Sequence, residues 1–300
     1  VSGRSRSGGG PYTGTAGGTT AGTTARPDAA TTAGPYAASD AASHRNWPAC
    51  PTCFGIALDP GSARTRAWLS GTGAVLDVPT VAGAAQPVRR GTIVDPPACA
   101  RMLEQVLTPR VPRGVRPMVI VTTPVLDGVA FRAHIRTALD VLRPRSVLTV
   151  PAARAVAVAA GADLSRPLMV VDLGAQLTEA VLLGDGAIVD ARRTPLGTGD
   201  LDAATPPGRI AEAVAEMLTA MLRQDRSPLT LDALHRGVLL AGGGALRPEI
   251  IRPFDGLLHA PPRVVPAPHT AAVRGAAQLL ASAHAHPCVA GPLRAGAHPH

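Results

Sequence analysis

The sequence predicts an α/β fold built from two half-domains of one plan around a shared cleft. Three observations carry this. Short apolar runs alternate with helical patterns between Phe54 and Ala283, the order of elements restarts at Leu168, and each half is entered through an Asp-x-Gly turn, Asp59-Pro60-Gly61 and Asp172-Leu173-Gly174. A repeated motif in a repeated neighbourhood outweighs any single motif, because chance seldom repeats both.

In the first half, Phe54 to Leu58, Thr65 to Leu69 and Ala74 to Val78 read as a three-stranded meander, with turns at Asp59 to Ser62 and Gly71 to Gly73. Ala98 to Leu107 follows as a helix, Pro117 to Val121 as a buried strand, Val129 to Leu142 as a helix, Ser146 to Val150 as a strand and Ala152 to Ala160 as an Ala-rich helix. In the second half, Leu168 to Asp172, Thr178 to Leu183 and Ala187 to Arg192 form the next meander. Ile210, Val214, Met217, Leu218, Met221 and Leu222 then recur at the spacing of one helix face. A short second helical segment, strands at Val238 to Ala241 and Arg263 to Val265, and a closing helix from Thr270 to Ala283 complete the pattern. The implied organisation is a Gly/Ala/Thr-rich tail over 1–46, half-domains over 47–166 and 167–284, and a loose C-terminal tail over 285–300. The first tail has too few large apolar side chains to offset the entropy of ordering it.

Composition narrows the chemistry. All 29 basic residues are arginine, so neither a Schiff-base lysine nor a Walker lysine is available. The net charge of +8 is spread along the chain and aromatic residues are only 2%, which argues against stacking on single-stranded nucleic acid and predicts no specific nucleic-acid partner. Arg4 and Arg6 are too few to anchor the tail electrostatically at an anionic membrane. Cys50 and Cys53 form a CPTC without a second pair or a His pair at zinc-finger spacing, which argues against structural zinc and for reduced thiols in a cytosolic chain. Neither an apolar signal-peptide core nor a run long enough for a spanning helix is seen, so the expected location is cytoplasmic, with the inner face of the cell membrane as a further possibility to test.

Asp-x-Gly turns between antiparallel strands suit a phosphate chain. Small residues let backbone N–H groups approach phosphate oxygens, while the carboxylate faces a metal ion or its waters. One such turn is a common hairpin, whereas two on facing half-domains make a clamp. The third element is the strand Val238 to Ala241 running into Gly242, Gly243 and Gly244 and then a helix, where bare backbone accepts a base or ribose and a helix N-terminus favours anions.

The order of these motifs resembles the superfamily of actin, DnaK-type chaperones and sugar kinases, and in detail the MreB/Mbl-type bacterial actins. GIALDPGSARTRAWLSGTGAVLDVPTV resembles that family's first phosphate motif, and GTIVDPPACARMLEQVL its strand-to-helix passage. MVVDLGAQLTEAVLLGDGAIVDARRTPLGTGDLD resembles the second phosphate motif, HRGVLLAGGGALRPEI the adenosine motif, and AAVRGAAQLL the closing helix. The resemblance spans roughly residues 54–283. It implies duplicated actin-like (ribonuclease H-like) half-domains and a cleft for ATP and Mg2+. The nucleotide-binding candidates are Asp59, Gly61, Ser62, Ala63, Arg64, Asp172, Gly174, Ala175, Gln176, Gly199, Gly242, Gly243, Gly244, Ala245 and Leu246, with Asp59 and Asp172 reaching the metal through its waters.

The departures from the family bear on mechanism. Its second phosphate motif has three glycines and a Thr after Asp-x, where this chain has Gly174-Ala175-Gln176-Leu177. The added Cβ atoms sit where the backbone must approach phosphate and are expected to meet a left-handed φ, which weakens phosphate contact. The family's catalytic Glu precedes a Pro-x-Ala-Ala helix, and Val150 occupies that position, so no catalytic residue is assigned. Loss of a water-orienting base costs about 10²–10⁴ in rate, which predicts binding without brisk turnover. Arg64, Arg66 and Arg154 are alternative phosphate contacts. The links between the first meander and Val94, and between Asp202 and His235, are short where the family inserts two upper subdomains, which predicts a form lacking both.

The resemblance implies a rod-shape-determining, cytoskeletal protein that assembles with itself or with full-length bacterial actin homologues and serves cell-wall morphogenesis, with membrane proteins of that process as further partners. A filament-capping or regulatory adaptor without nucleotide turnover is the alternative, and an active ATPase or small-molecule kinase of the superfamily is a third reading.

Overall fold

Each of two five-stranded sheets combines an antiparallel meander with two parallel strands, in the same relative order. The computed structural model describes Trp47, Cys50 and residues 53–285 apart from Asp127 and His259. The tail over 1–46 and nearly all of that over 285–300 lie outside these residues. The first half comprises β1 (Gly55–Pro60), β2 (Arg64–Leu69), β3 (Val75–Pro79), the two-residue strands β4 (Val88–Arg89) and β5 (Thr92–Ile93), α1 (Pro96–Leu107), β6 (Met118–Thr123), α2 (Gly128–Leu139), β7 (Ser146–Pro151) and α3 (Ala152–Ala159). The second comprises β8 (Leu168–Leu173), β9 (Thr178–Gly184), β10 (Ala187–Thr194), α4 (Gly208–Gln224), α5 (Leu229–Arg236), β11 (Leu239–Ala241), α6 (Pro248–Ile251), β12 (Arg263–Val264) and α7 (Ala271–Ala285). The strand orders are β3-β2-β1-β6-β7 and β10-β9-β8-β11-β12.

The central strands β1 and β8 are covered on both faces, as their unbroken apolar runs require. Ile56 and Leu58 pack with α1 and α2 through Met102, Leu103 and Ile135, while Ala57 faces Val273 and Ala276 of α7. Met169, Val171 and Leu173 pack against Ile210, Val214 and Met217 of α4, while Leu168 and Val170 turn towards α3 and α7. Small residues on the inner faces allow α3 and α7 to approach closely. A Cβ on Gly275 would lie 1.7 Å from the carbonyl oxygen of Ala155, so only glycine fits there.

Local signals account for the ends of the elements. The Asp95 carboxylate accepts a hydrogen bond from the Ala98 amide at 2.9 Å and starts α1 two residues before the expected Ala98, because Pro96 and Pro97 occupy the first turn, where a missing N–H costs nothing. The helix expected after the triple glycine is shorter than predicted: one 3-10 turn, Gly243–Leu246, precedes the four residues of α6. The connection between β3 and α1 carries only the β4–β5 hairpin, whose turn residues Arg90 and Gly91 both have positive φ, as a tight two-residue hairpin turn demands. Among the described residues, no helix is long and apolar enough to cross a membrane.

Candidate functional site

The two Asp-x-Gly turns close in the same way. The amide of Gly61 donates to the carbonyl of Arg64 at 3.0 Å, and that of Gly174 to the carbonyl of Leu177 at 2.9 Å. A Cβ on Gly61 would sit 2.9 Å from the Arg64 oxygen, and one on Gly174 2.6 Å from the Leu177 oxygen, so close approach requires both glycines. The registers match as well. Asp59 stands opposite Arg66 on β2, and Asp172 stands opposite Glu179 on β9.

These turns face one cleft of about 330 Å³, within the lower range of ligand pockets. Asp59, Gly61, Ser62, Ala63 and Arg64 line it from the first half, and Asp172, Gly174, Ala175, Gln176, Gly242 and Gly243 from the second. The other predicted positions stand behind it. Gly199 donates its amide to the carbonyl of Ala175 at 2.7 Å and so supports the second turn, while Gly244 and Ala245 are buried and Leu246 is exposed. Gly242 has φ +86, and a Cβ there would lie 2.3 Å from Asp172 Oδ1, which ties the glycine loop to the second turn.

Three carboxylates meet at the cleft. Burial raises Asp59 above the usual carboxylate range, although Thr122, whose hydroxyl donates to Asp59 Oδ1 at 2.5 Å, and the Arg66 charge oppose the rise. Asp172 is pushed up to about 6 by burial and by the charge of Asp59, with Arg66 opposing. Glu179 is pushed up to about 7 by burial and then by Asp172, against the backbone amides of Leu126 and Val125 and the charge of Arg193. Its Oε1 is buried without a hydrogen-bond partner. Like charges held this close oppose each other's ionisation, and a divalent cation relieves that repulsion.

Glu179 is a cleft residue that motif reading missed. The signal available was its place seven residues after Asp172, the spacing that separates Asp59 from Arg66. Arg64, by contrast, is held by Asp77, with Nε to Oδ1 at 2.7 Å and Nη2 to the backbone oxygen at 2.7 Å. Arg66 joins the other Asp77 oxygen at 3.1 Å. Burial would raise Asp77, but these two guanidinium groups outweigh it and hold the carboxyl below its ordinary value. Arg154 is exposed on α3 and does not line the cleft.

The altered second turn takes a different part from the one expected. Ala175, Gln176 and Leu177 are absent from the non-glycine residues with positive φ among those described, so the expected left-handed strain does not arise. Two of these side chains instead receive the β4–β5 hairpin. The Arg90 amide donates to Gln176 Oε1 at 3.3 Å, and Leu177 lies so near Gly91 that a Cβ there would be 2.6 Å from its Cδ2. The Arg90 guanidinium bonds the carbonyl of Pro195 and pairs with Asp200 at 3.1 Å. The hairpin thus docks on the second turn and on the loop after β10.

Val150 is buried in the apolar cluster of Met118, Ile120 and Ala155, and it does not line the cleft. Cys50 and Cys53, which have no His pair at zinc-finger spacing in the sequence, gain a histidine neighbour in the fold. His284, near the end of α7, brings a ring nitrogen to within 4.8 Å of both sulfurs, which themselves lie within that distance of each other. Linear spacing could not reveal a neighbour from the far end of the chain.

Two sheets of one order, each with an Asp-x-Gly turn at a common cleft, make up an actin-like fold. Residues 82–205 match the family described as MreB/Mbl protein. The fold is similar to that of MreB 5 of Spiroplasma citri bound to AMPPNP, with TM-score 0.68 and 15% identity over 77% of this chain and 97% of that one. It is also similar to the MamK double helical filament, with TM-score 0.63 and 13% identity over 76% and 98%. The ethanolamine utilization protein EutJ from Carboxydothermus hydrogenoformans gives TM-score 0.55 and 16% identity over 76% and 90%. No curated protein matches the chain. The match to the MreB/Mbl family lies in residues 82–205, and the fold of the chain is that of these actin-like structures.

Proposed function

We propose that this protein is a cytoskeletal scaffold that binds ATP with Mg2+ weakly, hydrolyses it slowly, and assembles with itself or with full-length bacterial actin homologues in cell-wall morphogenesis. The observation that carries the reading is the pair of matched turns at Asp59 and Asp172. Their raised pKa values are those of a donor set that a hydrated divalent cation would satisfy. Gly61 to Ala63 and Gly174 to Gln176 would hold the phosphates, and Gly242 and Gly243 would face the nucleoside. Mg2+ would neutralise phosphate charge, and Arg64, Arg66 and Arg247 add positive charge to the cleft lining. Slow turnover follows from Val150, an apolar residue where the family's water-orienting carboxylate is expected.

Assembly is supported by the actin-like fold, which this chain shares with the filament-forming MamK. The half-domain division over 47–166 and 167–284 follows the two sheets, and the short connections after β3 and after β10 support a form without the two upper subdomains. A cytoplasmic location is part of the same reading.

The adaptor reading is favoured by a separate observation, the contacts of Arg90 and Gly91 with Gln176 and Leu177. A second turn occupied by the chain's own hairpin has less room for phosphate. Sedimentation of the purified chain, alone and with a full-length bacterial actin, with and without ATP, distinguishes the two. Nucleotide-dependent pelleting is expected. A chain that stays in the supernatant in every condition overturns the scaffold reading, and shortened filaments of the full-length actin identify a cap.

A further inference from the structure

We propose that Cys50, Cys53 and His284 form a structural zinc site that clips the segment entering β1 to the last turn of α7. The three ligand atoms lie within 4.8 Å of one another. Zinc bonds of about 2.3 Å to sulfur and about 2.0–2.1 Å to nitrogen place tetrahedral ligands some 3.3–3.8 Å apart, so a small contraction of this set closes it around the ion. Two thiolates and an imidazole are soft and borderline donors with no carboxylate among them, which selects zinc over Mg2+ or Ca2+. Cys-x-x-Cys is also the pair spacing of structural zinc sites.

The surroundings orient the ligands. The ring of His284 stacks on Trp47 with centroids 3.8 Å apart and planes 11° from parallel, and Trp47 Nε1 donates to the carbonyl of Cys53 at 3.0 Å. Trp47 meets Trp68 edge-on at 6.2 Å. A Cβ on Gly55 would lie 2.4 Å from the Trp47 ring, so the first residue of β1 must be glycine for this packing to form. Cys50 and His284 are buried and Cys53 is half-buried, so the ligand set is largely shielded from solvent. None of the three lines the nucleotide cleft. The three side chains leave the fourth coordination position to a water molecule.

The clip would act on the fold as a whole. α7 packs along β1 and against α3, so a metal tying its end to the entry of β1 holds together elements of both sheets. Metal binding free energy then becomes folding free energy. Cys99, buried on the inner side of α1 with its thiol pushed up to about 12 by burial and then by Asp95, is the inert contrast.

The test uses the full chain, purified under reducing conditions without a metal-binding tag. Elemental analysis should find about one zinc per chain, and Co2+ added to the metal-free protein should give thiolate-to-cobalt charge-transfer bands, the d–d bands of a tetrahedral centre and a change in Trp47 fluorescence. Cys53→Ser and His284→Gln should each weaken Co2+ binding at least about tenfold, while Cys99→Ser leaves it unchanged. Circular dichroism checks that the variants fold, and the wild-type cobalt spectrum tests the site even where one does not. A wild-type chain with far less than one zinc and no tetrahedral cobalt spectrum overturns the proposal, as does a Cys50–Cys53 disulfide that persists in reductant.

Discussion

Arg90 and Asp200 form an ion pair of 3.1 Å that joins the turn of the β4–β5 hairpin to the loop after β10. Both side chains are partly solvated, so the pair contributes below about 1 kcal/mol to stability. Its effect is on access to the cleft, because the same arginine also bonds Gln176 and Pro195. Arg90→Ala should leave the melting temperature nearly unchanged, speed amide exchange in residues 174–177 and 195–200, and raise the association rate of a fluorescent ATP analogue. Unaltered exchange and association would show that the hairpin does not restrict the cleft.

The carboxylate cluster sets a pH dependence. In the folded protein Glu179 is pushed up to about 7 and Asp172 to about 6, against ordinary values of 4.5 and 3.8. The folded state therefore holds more protons than the unfolded state between roughly pH 4 and 7, and stability falls as pH rises through that window. Glu179→Gln removes one such group. It should stabilise the protein at pH 8 by on the order of 2 kcal/mol and leave it nearly unchanged at pH 4.5. Denaturant titration of both proteins at both pH values checks this; equal stabilisation at the two pH values would exclude a charge effect.

Magnesium should act on the same groups in the opposite sense. Adding Mg2+ with a non-hydrolysable ATP analogue should raise the melting temperature more at pH 8 than at pH 5, since the cation favours ionised Asp59 and Asp172. Asp172→Asn should abolish the difference.

Two glycines test the packing that positions the turns. Gly242→Ala forces a Cβ towards Asp172 Oδ1 at a left-handed φ of +86, a combination expected to cost about 2–3 kcal/mol. Gly275→Ala drives α3 and α7 apart and should cost about 3 kcal/mol. Equilibrium unfolding measures both, and a change below about 0.5 kcal/mol in either, the ordinary range for surface substitutions, would contradict the close approach.

The parts of the fold legible in the sequence are those written in local periodicity. Ile56 and Leu58, Met169 and Val171, and the helical spacing of Ile210 to Met221 each marked an element that the structure contains, and the repeated Asp-x-Gly turns marked their pairing across the cleft. What escaped depends on contacts distant in sequence. Val88 to Ile93 read as a mere link because strands of two residues leave no periodicity, yet it is Arg90 in that link that reaches Asp200. Glu179 looked like the start of an ordinary strand until its register opposite Asp172 was seen. His284 lies too far along the chain from Cys50 for ligand spacing to reveal it.

The proposed scaffold should bind ATP without efficient turnover. Incubating the protein and Mg2+ with ATP labelled at the γ-phosphate, then recovering the bound fraction, tests this directly. Intact ATP should be bound near one per chain at saturating concentration, with phosphate release at least about a hundredfold slower than that of a full-length bacterial actin assayed alongside. Phosphate release at the full-length rate, or no bound ATP at any concentration, would contradict it.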